Sequence, residues 1–321
     1  MYNIAIIAAG QIGSRHLQGL ALSLKQHQIY VVDPNEKALS IAKQRYLEVS
    51  ELSTNNVSYN QNISDLPETI DVAIIATTAN VRRSVIENLL KKNSVKYLIL
   101  EKIVFQKSED FAPINTLLQK NGVKSWVNCT RRSYSFYRNL KNEIDGKKIS
   151  IKVEGNNWGL AGNSIHMVDL LAFFTEKTDF EYDVSGLNKT IIHLKRDGFK
   201  ALKGKFNIRT ERGDVLELID SDKCDSDTQI WISTDSVQYN INESKGIVVK
   251  HVSDAENQQN KIKIPFQSEL TGNIIDQIID TGKSDLTSYD ECMKYHVPML
   301  DSFNDHFSKV TGKTVRVCPI T

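Results

Sequence analysis

Small residues crowd the end of the first apolar run. Asn3-Ile4-Ala5-Ile6-Ile7 breaks into Ala8-Ala9-Gly10-Gln11-Ile12-Gly13, and the next apolar run, Ile29-Tyr30-Val31-Val32, ends on Asp33. These residue types at this spacing suit a dinucleotide. A strand must turn tightly into its helix, small residues let the backbone approach a pyrophosphate, and the phosphate charge rests on N–H groups at the positive end of the helix dipole. Ala8, Gly10, Gln11, Ile12 and Gly13 are the expected contacts on that side. Asp33 would accept hydrogen bonds from ribose 2′- and 3′-hydroxyls, and would repel a 2′-phosphate unless arginines surrounded it. NAD is therefore expected ahead of NADP. The full glycine pattern begins with glycine where this chain has Ala8, which is tolerable if Ala8 keeps a negative φ.

Those residues need a parallel sheet to hold them. The periodicity predicts strand 2–8, helix 12–24, strand 28–33, helix 35–47, strand 70–76, helix 80–92, strand 95–100, helix 108–121 and strand 123–128, with residues 50–62 as a loop. Alternation of this kind gives a doubly wound α/β sheet. The runs Val72–Ala76 and Tyr97–Leu100 are continuously apolar, as strands buried on both faces should be. They lead into Thr77-Thr78 and Glu101-Lys102, which places Thr77, Glu101 and Lys102 at the carboxyl edge where such sheets bind ligands.

Past residue 128 the rhythm changes to helices at about 134–144 and 163–174 and then short alternating strands, among them 149–153, 189–194, 205–208, 215–219, 229–232, 237–240 and 247–249. A chain of 321 residues exceeds what one core usually holds, so two domains are expected: 1–127, a dinucleotide-binding Rossmann domain, and 128–321, an α+β domain on a mostly antiparallel open sheet. Its open face predicts a homodimer or homotetramer. Near the end, Ser288-Tyr289-Asp290-Glu291 has the form of a capping box before a helix to about Lys309.

Composition narrows the class of partner. Net charge is +1, with 40 Lys+Arg against 39 Asp+Glu, so no nucleic-acid partner is expected; Lys91-Lys92 and Arg131-Arg132 read as solvated pairs. Cys129, Cys224, Cys292 and Cys318 are widely spaced and show no zinc pattern, so no metal is expected. Reduced thiols, no apolar run approaching membrane length and no basic leader predict a soluble cytoplasmic protein.

Several segments together resemble the glucose-fructose oxidoreductase, inositol dehydrogenase and rhizopine-catabolism family (Gfo/Idh/MocA). They are Gly10-x-x-Gly13-x-x-His16, the Glu101-Lys102 pair, Val127-Asn128-x-x-Arg131-Arg132, Gly162-Asn163-Ser164-Ile165-His166-Met167-Val168-Asp169 and Leu286–Glu291. The resemblance spans nearly the whole chain. It implies NAD or NADP in the amino-terminal domain and hydride transfer to or from a secondary alcohol or ketone of a sugar, nucleotide sugar or sugar acid. It also implies that Lys102 and His166 are the catalytic pair. Removing hydride from an alcohol requires a base for the hydroxyl proton and a donor for the alkoxide-like oxygen. His166 titrates in the useful range, and Lys102 would polarise the oxygen or act as base if burial lowers its pKa.

Asn128 and Arg131 are candidates for nicotinamide or substrate contact. Asn156, Asn157 and Trp158 lie where a substrate loop should run, since amides and an indole suit sugar hydroxyls and ring faces. The chain departs from the family at Ile103, where many members have proline, and at Gly162, where the family's dehydrogenases often have aspartate. Asn163 or Asp169 would then orient substrate or His166. Two alternatives remain open: redox-neutral chemistry on tightly held NAD, of epimerase or glycosidase type, and a non-catalytic NAD(P)-binding regulator.

Overall fold

A computed structural model describes residues 1–225, 227–252 and 256–321. The chain forms two compact units. The first comprises residues 1–105, 109–128 and 265–289, and the second residues 106–108, 129–264 and 290–321.

The first unit begins β1 (Tyr2–Ile7), α1 (Gln11–Leu20), β2 (His27–Val32), α2 (Glu36–Leu47), β3 (Asn56–Asn60), β4 (Thr69–Ile75), α3 (Ala79–Lys92), β5 (Ser94–Leu100), α4 (Phe111–Lys120) and β6 (Lys124–Val127). The strands lie β6-β5-β4-β1-β2-β3, all parallel. Ile4, Ile6, Val72, Ile74 and Ile99 fill the core, each worth about 1.5–3 kcal/mol when fully buried. Residues 50–62 are not simply a loop. β3 pairs with β2 from Gln28↔Asn56 to Val32↔Asn60, and its half-buried polar residues at the sheet edge hide it from a search for apolar runs. α1 also stops at Leu20, four residues short of the expected end.

The second unit contributes α5 (Ser135–Ile144), β7 (Ser150–Gly155), α6 (Leu160–Thr175), β8 (Glu181–Asp183), β9 (Ile192–His193), β10 (Lys200–Ala201), β11 (Gly204–Arg209), β12 (Val215–Asp220), β13 (Gln229–Ser233), β14 (Val237–Asn242), β15 (Ile247–Val252) and β16 (Gln258–Lys261). Eight strands form one mixed sheet, β16-β15-β14-β13-β7-β12-β11-β8, antiparallel except where β12 pairs with β7. Its alternation is clean: Ile151, Val153, Leu216, Leu218, Ile230 and Ile232 are buried, while Lys152, Glu154, Glu217 and Trp231 share the other face. Residues 189–194 reduce to the two-residue β9, which among the described residues pairs with β10 alone.

The remaining chain is α7 (Gln267–Thr281), β17 (Thr287–Ser288) and α8 (Tyr289–Thr311). A cut between residues 127 and 128 assigns α7 and β17 to the second domain, yet Ile274, Ile275 and Ile278 of α7 join the core of the first unit. β17 adds an antiparallel edge to its sheet, Thr287↔Val127 and Ser288↔Trp126. Ser288 thus ends a strand, and α8 begins one residue later. Among the described residues no helix is long and apolar enough to cross a membrane, and the four cysteines are free.

Candidate cofactor and substrate sites

At the carboxyl edge of β1 and β4 the first unit encloses a cavity of about 370 Å³. Ile7, Ala8, Val32, Pro34, Ile63, Thr77, Val81 and Val85 supply its wall, with Gln61, Asn62, Ser64 and Asn88 as polar points. Apolar walls with a few amides suit a purine and its ribose. The hydroxyl of Thr77 is buried there and makes no hydrogen bond among the described residues, an acceptor-donor left for a ligand. α1 opens on Gly10 without a capping side chain, so its first N–H groups are unclaimed by a cap. The residues present therefore fit a dinucleotide.

Ala8 does not keep a negative φ: it sits at +82°, in the left-handed region, while Gly10 is at −63°. The turn's geometry overrides the side chain's preference, because Ala8 N–H bonds Val32 O at 2.8 Å and Ala9 N–H bonds the Asp33 carboxylate at 2.8 Å. Ala8→Gly relieves the Cβ crowding and should raise stability by about 1 kcal/mol, or a few degrees in thermal midpoint by calorimetry. An unchanged or lower midpoint contradicts the strained turn. Gly13 is needed for closeness rather than φ, since a Cβ there would lie 1.9 Å from Ala8 O.

Asp33 is 9% exposed, and its other oxygen accepts from Asn35 N–H at 2.8 Å. Each carboxylate oxygen keeps a further lone pair. Glu101 faces inward instead. His16 Nε2 lies 2.9 Å from Glu101 Oε1, Asn128 Nδ2 donates to the same oxygen, and His16 Nδ1 meets Thr271 Oγ1 at 2.9 Å. Burial alone would raise the Glu101 pKa; the His16 hydrogen bond and charge, then Asn128, outweigh it and hold it below the usual carboxylate range. The sequence shows His16 only as part of a motif, and the buried partner that gives it a role, Glu101, lies just past the end of β5. Lys102 follows Glu101, half-buried, and its peptide bond to Ile103 is cis. Ile103, Val104 and Phe105 are buried, and the Phe105 ring meets Phe111 edge-on at 5.0 Å.

The second unit has its own polar cavity of about 420 Å³, bordered by Arg131, Trp158, Asn163, His166, Asp227, Thr228, Ile230, Glu243 and Ser244. Four of the expected substrate residues meet here. Asn163 and His166 are one turn apart on α6 and so share a face. Helix α6 is started from across the sheet, where the buried Asp220 carboxylate accepts from Asn157 N–H at 2.8 Å and Gly159 N–H at 3.2 Å. Trp158 Nε1 donates to Ile219 O at 2.8 Å. Asn157 is exposed, with φ +57°, and is not among the residues bordering the cavity.

Arg131 and Arg132 are not solvated. Arg131 grips Glu243 through Nε at 2.9 Å and Nη2 at 2.6 Å, and Tyr137 donates to Glu243 at 2.6 Å. Burial opposes both charges, but the pair outweighs it: Arg131 is raised and Glu243 lowered from their ordinary values. Arg132 grips Asp169 through Nε at 3.0 Å and Nη2 at 2.8 Å, and Tyr295 donates to Asp169 at 2.6 Å. Asp169 is wholly buried in that network, which turns it away from the role of orienting substrate. At Gly162 a Cβ would lie 2.3 Å from the Thr321 backbone oxygen. That strip is pinned by Cys318 N–H to Gln106 O at 2.8 Å and Lys200 N–H to Pro319 O at 2.7 Å. Glu243, Asp227 and Thr228 were missed because only the folded sheet brings strand ends so distant in sequence to α6.

Residues 2–129 match the oxidoreductase family with an NAD-binding Rossmann fold, Gfo/Idh/MocA. That match covers about two fifths of the chain. No curated protein sequence matches the chain. In fold it is similar to UDP-N-acetylglucosamine 3-dehydrogenase GnnA from Acidithiobacillus ferrooxidans, at 12% identity over 94% of this chain and 96% of that one, TM-score 0.70. It is equally similar to the 3-ketoreductase KijD10 from Actinomadura kijaniata, solved with NADP, at 12% identity over 94% and 96%, TM-score 0.70. A super-repressor mutant of Gal80p from Saccharomyces cerevisiae shares 16% identity over 98% of each chain, TM-score 0.70. At these identities the likeness is one of fold. The chain thus carries a Rossmann unit that matches an NAD-binding oxidoreductase model, joined in sequence to an α+β unit with a polar cavity of its own.

Proposed function

We propose that the protein is an NAD-dependent oxidoreductase acting on a secondary alcohol or ketone of a sugar, nucleotide sugar or sugar acid, with Lys102 and His166 as its acid-base and polarising pair. One observation carries this reading. A half-buried lysine stands one residue beyond Glu101, at the carboxyl edge of the same parallel sheet that holds the dinucleotide cavity. Two neighbours in fold are named as a UDP-N-acetylglucosamine 3-dehydrogenase and a 3-ketoreductase, which supports the substrate class. The bound nicotinamide would supply or accept the hydride. Lys102 would donate a hydrogen bond to the substrate oxygen, and neutral His166 would take the hydroxyl proton during oxidation and return it during reduction. Arg131, Trp158 and Asn163 would hold the sugar hydroxyls, with Glu243 fixing the guanidinium plane.

Nicotinamide fluorescence titrations with NADH and NADPH test the cofactor half. NADH should bind more tightly, and Asp33→Ala should weaken NADH while flattening the NADH/NADPH ratio; an unchanged ratio sinks the ribose role. A turnover screen of sugars and sugar nucleotides, beginning with UDP-N-acetylglucosamine and NAD, tests the rest. Lys102→Ala should cut kcat by about 10²–10⁴-fold with NADH affinity retained, and full turnover in that variant overturns the assignment.

A non-catalytic NAD(P)-binding regulator is the second reading, favoured by the Thr321 backbone filling the space a side chain at residue 162 would need. It predicts cofactor binding, no turnover across the screen and a Lys102→Ala variant with its biological output intact. We also propose that the outer sheet face, where Lys152 lies over the Trp231 ring, is a self-association surface; a monomer in sedimentation velocity overturns it.

A further inference from the structure

Arg82, on the first turn of α3, is 2% exposed, and its guanidinium donates to backbone carbonyls. Nη1 donates to Val104 O at 2.9 Å and lies against the carbonyls of Glu101 and Ile103, while Nη2 donates to Thr77 O. Burial pushes the guanidinium pKa down to about 10, partly offset by Glu101, so it stays charged at neutral pH. An arginine is suited to this place because its donors form a rigid planar fork, whereas a lysine offers a point charge on a flexible stem. The carbonyls it holds flank Lys102 on both sides. Thr77, the fourth, borders the dinucleotide cavity.

We infer that Arg82 is the positioning residue for Lys102: it clamps the 101–104 turn and ties it to the Thr77 turn, so that the Lys102 ammonium is presented in one direction beside the dinucleotide cavity. The inference rests on the reading of Lys102 as the group that meets the reacting oxygen. A looser turn would leave the lysine in place in the sequence but spread its ammonium over several positions and environments.

Reductive methylation with ¹³C-formaldehyde labels every lysine, and the signal missing from Lys102→Ala assigns Lys102. In Arg82→Gln, the Lys102 signal should move and its titration midpoint shift by about half a pH unit or more, with the other lysine signals unmoved. ADP-ribose, which probes the adenosine half alone, should bind within about threefold of its original affinity, since the cavity walls are retained. Arg82→Lys keeps the charge but loses the fork; it should shift the Lys102 signal in the same direction by less, and it decides the matter if the glutamine variant does not fold. A folded Arg82→Lys or Arg82→Gln protein in which the Lys102 signal and midpoint match the original overturns the inference. Full turnover by Lys102→Ala would instead remove the catalytic reading of Lys102 and leave the spectroscopic result standing.

Discussion

Gly13→Ala should lower NADH affinity by at least about 100-fold, read by nicotinamide fluorescence, because the backbone proposed to cradle the pyrophosphate has no room for a methyl group. The added Cβ would lie 1.9 Å from Ala8 O and 3.0 Å from Ala8 C, and both are backbone atoms that no rotamer change can move. Either α1 shifts away from β1 or the Ala8 turn reopens, and both displace the helix N-terminus. Relief by movement costs stability too, about 1–3 kcal/mol on the scale of overpacked cores. Gly10→Ala is the matched control for stability alone, since a Cβ at Gly10 meets no protein atom within 4 Å and φ there is −63°. Equal NADH affinity in the Gly13→Ala protein and the original would mean that this turn is not the cofactor's cradle.

Asp169→Ala should destabilise the second unit by about 3–5 kcal/mol, the usual cost of stranding one partner of a buried ion pair. Asp169 is 0% exposed and accepts from Arg132 twice and from Tyr295 once. Its carboxylate is what holds the Arg132 guanidinium charged against burial. Glu291, 3.1 Å from Arg132, is the only other carboxylate described against that guanidinium, and its side chain is 36% exposed, so it compensates weakly. Denaturant unfolding monitored by tryptophan fluorescence gives the difference directly. The double variant Arg132→Met/Asp169→Leu should recover most of the loss, because a matched apolar pair carries no unpaired charge. A small loss in Asp169→Ala would show that the pair contributes little and would return Asp169 to candidacy for a functional role.

Much of the amino-terminal unit was legible because parallel strands buried on both faces write themselves as unbroken apolar runs, and because a dinucleotide turn needs small residues at fixed spacing. β3 escaped for the opposite reason: an edge strand with half-buried polar residues has neither signal. In the second unit the alternation of β7, β11, β12 and β13 was readable, since each has one buried face. The assignment of α7 was not, because its amphipathic pattern shows that it packs but not on which core.

The sequence by itself determined the resemblance to Gfo/Idh/MocA proteins, the doubly wound amino-terminal sheet, the place of the glycine turn and Asp33, and the positions of Lys102 and His166 along the chain. Those features are local: spacing along one strand, one turn or one helix carries them. Tertiary structure alone decided that Ala8 takes a left-handed conformation, that Glu101 turns inward to His16, and that Arg131 and Asp169 are held by Glu243 and Arg132. It also decided that Arg82 holds the turn carrying Lys102. Each of these depends on which distant groups share a buried space, where a charge or a carbonyl must find whatever partner the fold brings near.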